Sequence, residues 1–376
     1  MKFNVNASEF KAVIAKLVSI VPRRGALPIL SNFYLSADVD SQTLHLVGTD
    51  LEVEKKVKLA AEVIEGGQIT IPANKINDIL GKFSGEEQVK CSQESAEKFI
   101  VRVGRSRYQL ATLPATEYPT TQDFTPDSFI SISAVKMKTM LDSVSSAMAN
   151  QDVRYYLNGV FMSLSGQGVT TVATDGHRMA IAEYHCDLDA SENSIILPKK
   201  CVLELAKLLN TDSACSISFN QNSIKVEVDS VVFVSKLIDG KYPDVKRLIQ
   251  STDNYLTMNT ADFNSALSRT KIVADEKFPA AAISFEDGEV RLVSASVGRE
   301  LAEMDESGVE FLEADFNITD FAIKFNIPYM LDVLSSWVAF GLGDKFTIKP
   351  PAKESPMTMS SIADSVTHTF VIMPVR

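Results

Sequence analysis

The residues of this chain best suited to chemistry lie together at Thr174-Asp175-Gly176-His177-Arg178. A carboxylate and an imidazole this close can form an acid–base pair, but such a pair needs a nucleophile or a metal to act on. Neither is evident. The four cysteines, Cys91, Cys186, Cys201 and Cys215, contain no CxxC pair, and His185-Cys186 has no second ligand pair at a useful spacing. They read as reduced thiols acting as small hydrophobes, and no metal or other cofactor is expected. Asp38-Val39-Asp40 and Asp187-Leu188-Asp189 are paired carboxylates, but each adjoins turn-like sequence and reads as solvated. The phosphate-binding GxxxxGK(S/T) pattern, HExxH, GxSxG and a complete GxGxxG are all missing. The chain therefore reads as non-catalytic. An enzyme built on Asp175 and His177 is one alternative, and a DNA-free multidomain interaction scaffold is another.

The cluster belongs to a repeat. Thr49-Asp50 precedes Thr174-Asp175 by about 125 residues. Tyr118-Pro119 recurs as Tyr242-Pro243, and Ile71-Pro72 as Leu197-Pro198 and Ile327-Pro328. A period this long is a whole domain. Each copy starts with a short strand and a helix, expected over 7–21, 134–149 and 260–273. Apolar residues at Phe10, Val13, Ile14, Leu17 and Val18 give the first its helical spacing, and Ser8 is its expected cap. Alternating segments at 43–47, 169–172 and 290–293 read as strands. A second helix follows near 72–83, 198–209 and 328–338, with proline suited to its first turn. The fold class is α+β, with helices on one face of antiparallel sheets. Polar, turn-rich stretches at 123–127 and 250–254 divide the chain into domains 1–125, 126–252 and 253–376.

With 45% hydrophobic residues among 376, each domain can bury a core. No apolar run is long enough to span a membrane, and Asn4, Asn6, Ser8 and Glu9 interrupt any N-terminal signal core. A cytoplasmic protein without a membrane partner is expected. The net charge of −11 argues against a nucleic-acid binder, but its distribution argues otherwise. The six helical windows hold eleven lysines and arginines against six acids, a balance of about +5 that leaves about −16 elsewhere. If the helices share a face, that face can accept a polyanion while the rest repels it.

Five further stretches carry a resemblance. They are Leu27-Pro28-Ile29-Leu30, Gln151-Asp152-Val153-Arg154-Tyr155-Tyr156-Leu157-Asn158-Gly159, Ala173 to Arg178, Asp239-Gly240-Lys241-Tyr242-Pro243-Asp244, and the tail Val371-Ile372-Met373-Pro374-Val375-Arg376. Over its whole length the chain resembles the bacterial DNA polymerase III beta subunits, the sliding clamps. The resemblance implies three tandem DNA-clamp domains per chain, with two chains closing head to tail into a ring. Helices would line the inner face and antiparallel sheets the outside. Double-stranded DNA would be encircled and held by closure, with weak sequence-independent phosphate contacts.

The same resemblance assigns residues. Arg24, Gln151, Tyr155, Tyr156, Lys199 and Lys200 would meet DNA; at least one tyrosine also suits core packing. Where the family often has arginine this chain has Asn74, so that helix would grip DNA less. A client-peptide cleft would use Leu157, Thr174, Gly176, His177, Arg178 and Met179. Pro243, Arg247, Leu248 and the tail residues Val371, Ile372, Met373, Pro374 and Val375 would complete it. The apolar members would take a leucine or phenylalanine anchor, and the tail would pair with an extended peptide. Implied clients are the DNA polymerase III alpha subunit, the clamp loader delta subunit, other polymerases, ligase and mismatch-repair proteins. For the homodimer joint, Arg105 and Arg107 would face Glu300 and Glu303, and Tyr108 and Leu110 would pack on Ile272 and Val273.

Overall fold

Asparagine starts three of the six α-helices found among the described residues. Asn6 accepts hydrogen bonds from the backbone N–H of Ser8 (2.9 Å) and Glu9 (3.3 Å), so it, and not Ser8, caps α1 (Ala7–Val18). Asn259 caps α5 (Thr260–Ile272) and Asn326 caps α6 (Ile327–Ala339) in the same way. Pro72 stands at the start of α2 (Ala73–Leu80), while α3 spans Ala134–Ser145 and α4 Lys199–Leu208. Helices α1 and α3 end before the expected 21 and 149. Ile20, Val21, Ala147 and Met148 stay buried beyond those ends, so apolar spacing continued past the last helical turn.

The computed structural model describes residues 1–23, 27–121, 124–188, 191–249, 252–286, 289–295, 308–318, 322–350 and 355–375. Arg24, Glu300 and Glu303 lie outside them. The chain forms two compact units, Met1–Lys138 with Lys200–Leu237, and Thr139–Lys199 with Ile238–Arg376.

The first unit holds two antiparallel sheets. Five strands run in the order Glu62–Glu65, Lys2–Asn6, Gln88–Ser95, Lys98–Val103 and Ser106–Ala111. Eight run from Ser128–Ser133 through Ala214–Phe219, Ser223–Val228, Val231–Lys236, Val53–Ala60, Thr43–Thr49 and Asn32–Asp38 to Gly67–Pro72. That larger sheet joins the first copy of the repeat to the second where Ser235 pairs with Val53. Helices α1 and α2 pack together, and α1 buries Phe10, Val13, Ile14 and Leu17. Each such side chain contributes roughly 1.5–3 kcal/mol.

The second unit repeats the plan. Nine strands run from Asn193–Pro198 through Gly159–Ser165, Gly168–Thr174, Arg178–His185, Val366–Ile372, Met357–Ala363, Lys345–Lys349 and Leu256–Asn259 to Ala314–Phe316. The second and third copies join where Ile372 pairs with Arg178. Four more strands, Val309–Leu312, Glu289–Ala295, Ala280–Glu286 and Ile323–Asn326, form a separate sheet. Helices α5 and α6 pack together, and Trp337 of α6 is buried with its Nε1 donating to the Gly343 carbonyl at 3.1 Å.

Burial pushes up the thiols of Cys201, to about 12, and Cys215, to about 11, and it raises Cys91 further. All four thiols are free. Among the described residues no group of three His, Cys, Asp or Glu side chains could hold a metal ion, and no helix is long and apolar enough to cross a membrane.

Candidate functional site

The Thr-Asp pair proves to be a turn-former used twice. In the first copy Thr49 Oγ1 donates to the Val53 carbonyl (2.9 Å) and accepts from Leu51 N–H (3.0 Å). Asp50 Oδ1 accepts from Glu52 N–H (3.0 Å) and Val53 N–H (2.8 Å). In the second copy Thr174 Oγ1 donates to the Arg178 carbonyl (2.6 Å) and accepts from Gly176 N–H (3.1 Å). Asp175 Oδ1 accepts from His177 N–H (2.8 Å) and Arg178 N–H (3.0 Å). The turns share a left-handed third residue, Leu51 at φ 78° and Gly176 at φ 91°. Asp175 therefore holds backbone and is not poised as a base for His177.

What the second copy adds is on the outside of its turn. Arg178 Nε donates to Asp175 Oδ2 at 3.2 Å, and Nη1 to Asp332 of α6. Its guanidinium lies 4.5 Å from the centre of the Tyr329 ring, and His177 stacks on the same ring at 6.3 Å. Burial raises the Tyr329 phenol above its usual value. The C-terminal tail runs on past the end of its strand at Ile372, beside this turn. Met373 N–H donates to the His177 carbonyl at 2.9 Å, and Val375 N–H to the Lys324 carbonyl at 2.9 Å.

A groove of about 390 Å³ opens here, lined by His177, Phe278, Pro279, Ala280, Asn326, Tyr329 and Met373 to Val375. Leu157, Met179 and Val371, expected to line a pocket, are instead buried with Val172, Tyr242 and Val245 in a packed cluster. Ile372 is also fully buried. Nearby in sequence, Pro243, Arg247 and Leu248 are exposed, and Arg247 Nε donates to Asp244 at 2.7 Å. Tyr242 stacks on Phe161 at 5.1 Å, and burial raises its phenol well above the usual range.

Among the expected DNA contacts, Gln151 is exposed at φ 56°, and Tyr155 is 57% exposed. Tyr156 packs partly into the buried cluster, edge-on to Tyr155. Lys199 Nζ donates to Asn150 Oδ1 at 3.1 Å, while the Lys200 ammonium pairs with Asp50. Of the expected joint residues, Leu110 is already buried within its own sheet and Tyr108 lies edge-on to Phe83. Arg105 is exposed, Arg107 pairs with Glu94, and Ile272 and Val273 project from the end of α5 with 81% and 46% of their surface exposed.

Sequence reasoning missed Arg154, Phe278, Asn326, Tyr329 and Asp332. The repeat offered a signal for two of them. Asp50 is paired by Lys200, just after Pro198, and Arg178 meets Tyr329 and Asp332, just after the equivalent Pro328.

An apolar groove beside the end of a strand is a geometry that can receive an extended peptide. Comparison with known proteins makes this specific. Residues 1–122, 131–244 and 246–376 match the N-terminal, central and C-terminal domain models of the DNA polymerase III beta subunit. The chain is 34% identical to the beta sliding clamp of Pseudomonas aeruginosa and 33% to that of Vibrio cholerae, covering 100% of each chain. It superposes on the crystal structure of the P. aeruginosa DNA polymerase III subunit beta with a TM-score of 0.91 at 31% identity, covering 100% of both chains. The chain belongs to the DNA polymerase III beta subunit family, the sliding clamps. It is a non-catalytic processivity factor whose partners are DNA and a polymerase.

Proposed function

We propose that two copies of this chain close head to tail around duplex DNA and hold client proteins through the groove at the C-terminal tail. The observation that carries the client reading is the tail itself. Past the strand end at Ile372 its backbone stays anchored at both sides, Met373 N–H on the His177 carbonyl and Val375 N–H on the Lys324 carbonyl of the four-stranded sheet, and Met373 and Pro374 line the groove with Phe278 and Tyr329. An extended peptide can lay an apolar anchor there, with Arg178 and His177 beside it. The clients are the DNA polymerase III alpha subunit, the clamp loader delta subunit, other polymerases, ligase and mismatch-repair proteins, in the cytoplasm. The repeat frames 1–125, 126–252 and 253–376 are the domains of the ring.

Gln151 and Tyr155 are the DNA-facing residues that their exposure supports; Arg24, Lys199 and Lys200 add charge to the same role, and Tyr156 backs Tyr155 from the core. The joint between chains uses the edge strand Ser106–Ala111, with Tyr108, Arg105 and Arg107, against Ile272 and Val273. Glu300 and Glu303 supply the opposite charge.

A peptide of the Gln-Leu-x-Leu-Phe type should bind the protein in calorimetry, and Met373→Ala with Pro374→Ala should weaken it by roughly tenfold or more. Unchanged affinity in the double variant would remove the groove from this role.

A further inference from the structure

Arg154 stands between the DNA-facing loop and the client groove. It is held on the loop by Asp152, to which its Nε and Nη2 donate at 3.0 and 2.8 Å. From there Nη2 also donates to the Asp175 carbonyl in the client-side turn, at 3.1 Å. The turn is shaped to admit it. A Cβ on Gly176 would come within 3.1 Å of both Nη atoms, tighter than a comfortable contact. On the loop, Gln151 and Tyr155 are exposed and Val153 is 95% exposed.

The chain contains its own control. The first-copy turn makes the same four internal hydrogen bonds, but its third residue is Leu51, and Leu27 holds the place of Arg154 before the following 3-10 turn. A turn of this kind therefore folds without an arginine. The arginine and glycine occur together in the copy whose turn borders the groove.

We propose that Arg154 is a positioning residue that couples the two surfaces, so that a DNA phosphate at loop 151–155 and a peptide in the groove oppose each other. This rests on the reading of the groove and loop given above. Nη1 makes no hydrogen bond among the described residues, and the Arg154 side chain is about half exposed, at 45%. A phosphate presents oxygens that match the guanidinium fork and competes with Asp152 and the Asp175 carbonyl for it. Drawing the guanidinium to phosphate releases the turn that carries His177 and Arg178. By linkage, a peptide that favours the held turn must weaken the phosphate contact by the same factor.

The test is calorimetric titration of a Gln-Leu-x-Leu-Phe peptide into the full-length protein, at fixed salt, with and without a saturating primed duplex oligonucleotide. Wild-type affinity should fall by about fivefold with DNA present, the lower end of typical coupling. Arg154→Ala should bind peptide equally in both conditions with an unchanged denaturation midpoint. Arg154→Lys should also be uncoupled, because an ammonium cannot fork onto Asp152 while reaching the Asp175 carbonyl. Equal wild-type affinities with and without DNA overturn the inference. So does a DNA effect that survives Arg154→Ala, since DNA would then be occupying the groove directly. If the peptide fails to bind the DNA-free wild type, the groove reading falls first and this inference with it.

Discussion

His368 lies fully buried on the strand Val366–Ile372, stacked on Phe340 at 5.4 Å, with neither ring nitrogen hydrogen-bonded among the described residues. Burial disfavours its charged form and lowers its pKa from 6.5 to about 4. In the unfolded chain the ring takes up a proton as pH falls through 6.5, while the folded ring resists until about 4. Stability is therefore fully present above the unfolded value and lost across that window, by up to about 3 kcal/mol. His368→Phe should flatten this part of the pH dependence, measured as denaturant stability of both proteins between pH 7 and pH 4. Parallel curves would mean that the ring finds a partner on protonation. At this scale the sequence was only partly legible. Thr174 to Arg178 stood out by type, but the use of Asp175 to hold backbone N–H groups depends on a left-handed Gly176 that composition does not reveal. Asp332 was illegible as a partner of Arg178 because 154 residues separate them.

Elements are joined in different chemistry at the two inter-copy seams. At the first, Lys55 of the strand Val53–Ala60 is buried and spends its three donors on the Lys16 carbonyl (3.2 Å), Ser19 Oγ (3.1 Å) and Glu204 of α4 (2.7 Å). Burial pushes the Glu204 carboxyl up, but hydrogen bonds from Lys207, Lys55 and Ser19 outweigh it and hold the group at about 2. Burial also pulls the Lys55 ammonium down, opposed by Glu204. At the second seam the repeat places Ala180 and Leu334 in these positions, both buried. A buried charge left without its partner is costly, whereas an apolar replacement of the pair is not. Glu204→Ala should destabilise the protein by about 3 kcal/mol or more, and Lys55→Met with Glu204→Leu should recover most of that, read as denaturation midpoints. A double variant as weak as the single one would show that the pair contributes more than mutual neutralisation. The helices at these seams were visible from apolar spacing. The pairings of Ser235 with Val53 and of Ile372 with Arg178 were not, because strand partners distant in sequence leave no local pattern.

At the scale of the whole molecule, retention on DNA must come from closure, because the charge available for direct grip is small. Lys200 is already paired with Asp50, and the chain as a whole carries −11. A ring made of two chains needs an apolar joint, and Ile272 and Val273, exposed at the end of α5, are the residues proposed for it. Truncating both to alanine should shift sedimentation from dimer towards monomer at micromolar concentration; a dimer that persists would move the joint elsewhere. The same closure sets how the protein leaves DNA. Phosphate contacts weaken steeply with salt, since each neutralised phosphate releases counterions, but a closed ring on a closed circle has no end to leave from. Loaded protein should therefore stay on circular DNA after a rise in salt and depart when a single double-strand cut is made. The Ile272→Ala, Val273→Ala variant should leave the intact circle as well. Equal loss of the wild type from circular and cut DNA, or retention that falls with salt on the intact circle, would mean that affinity and not topology holds it there.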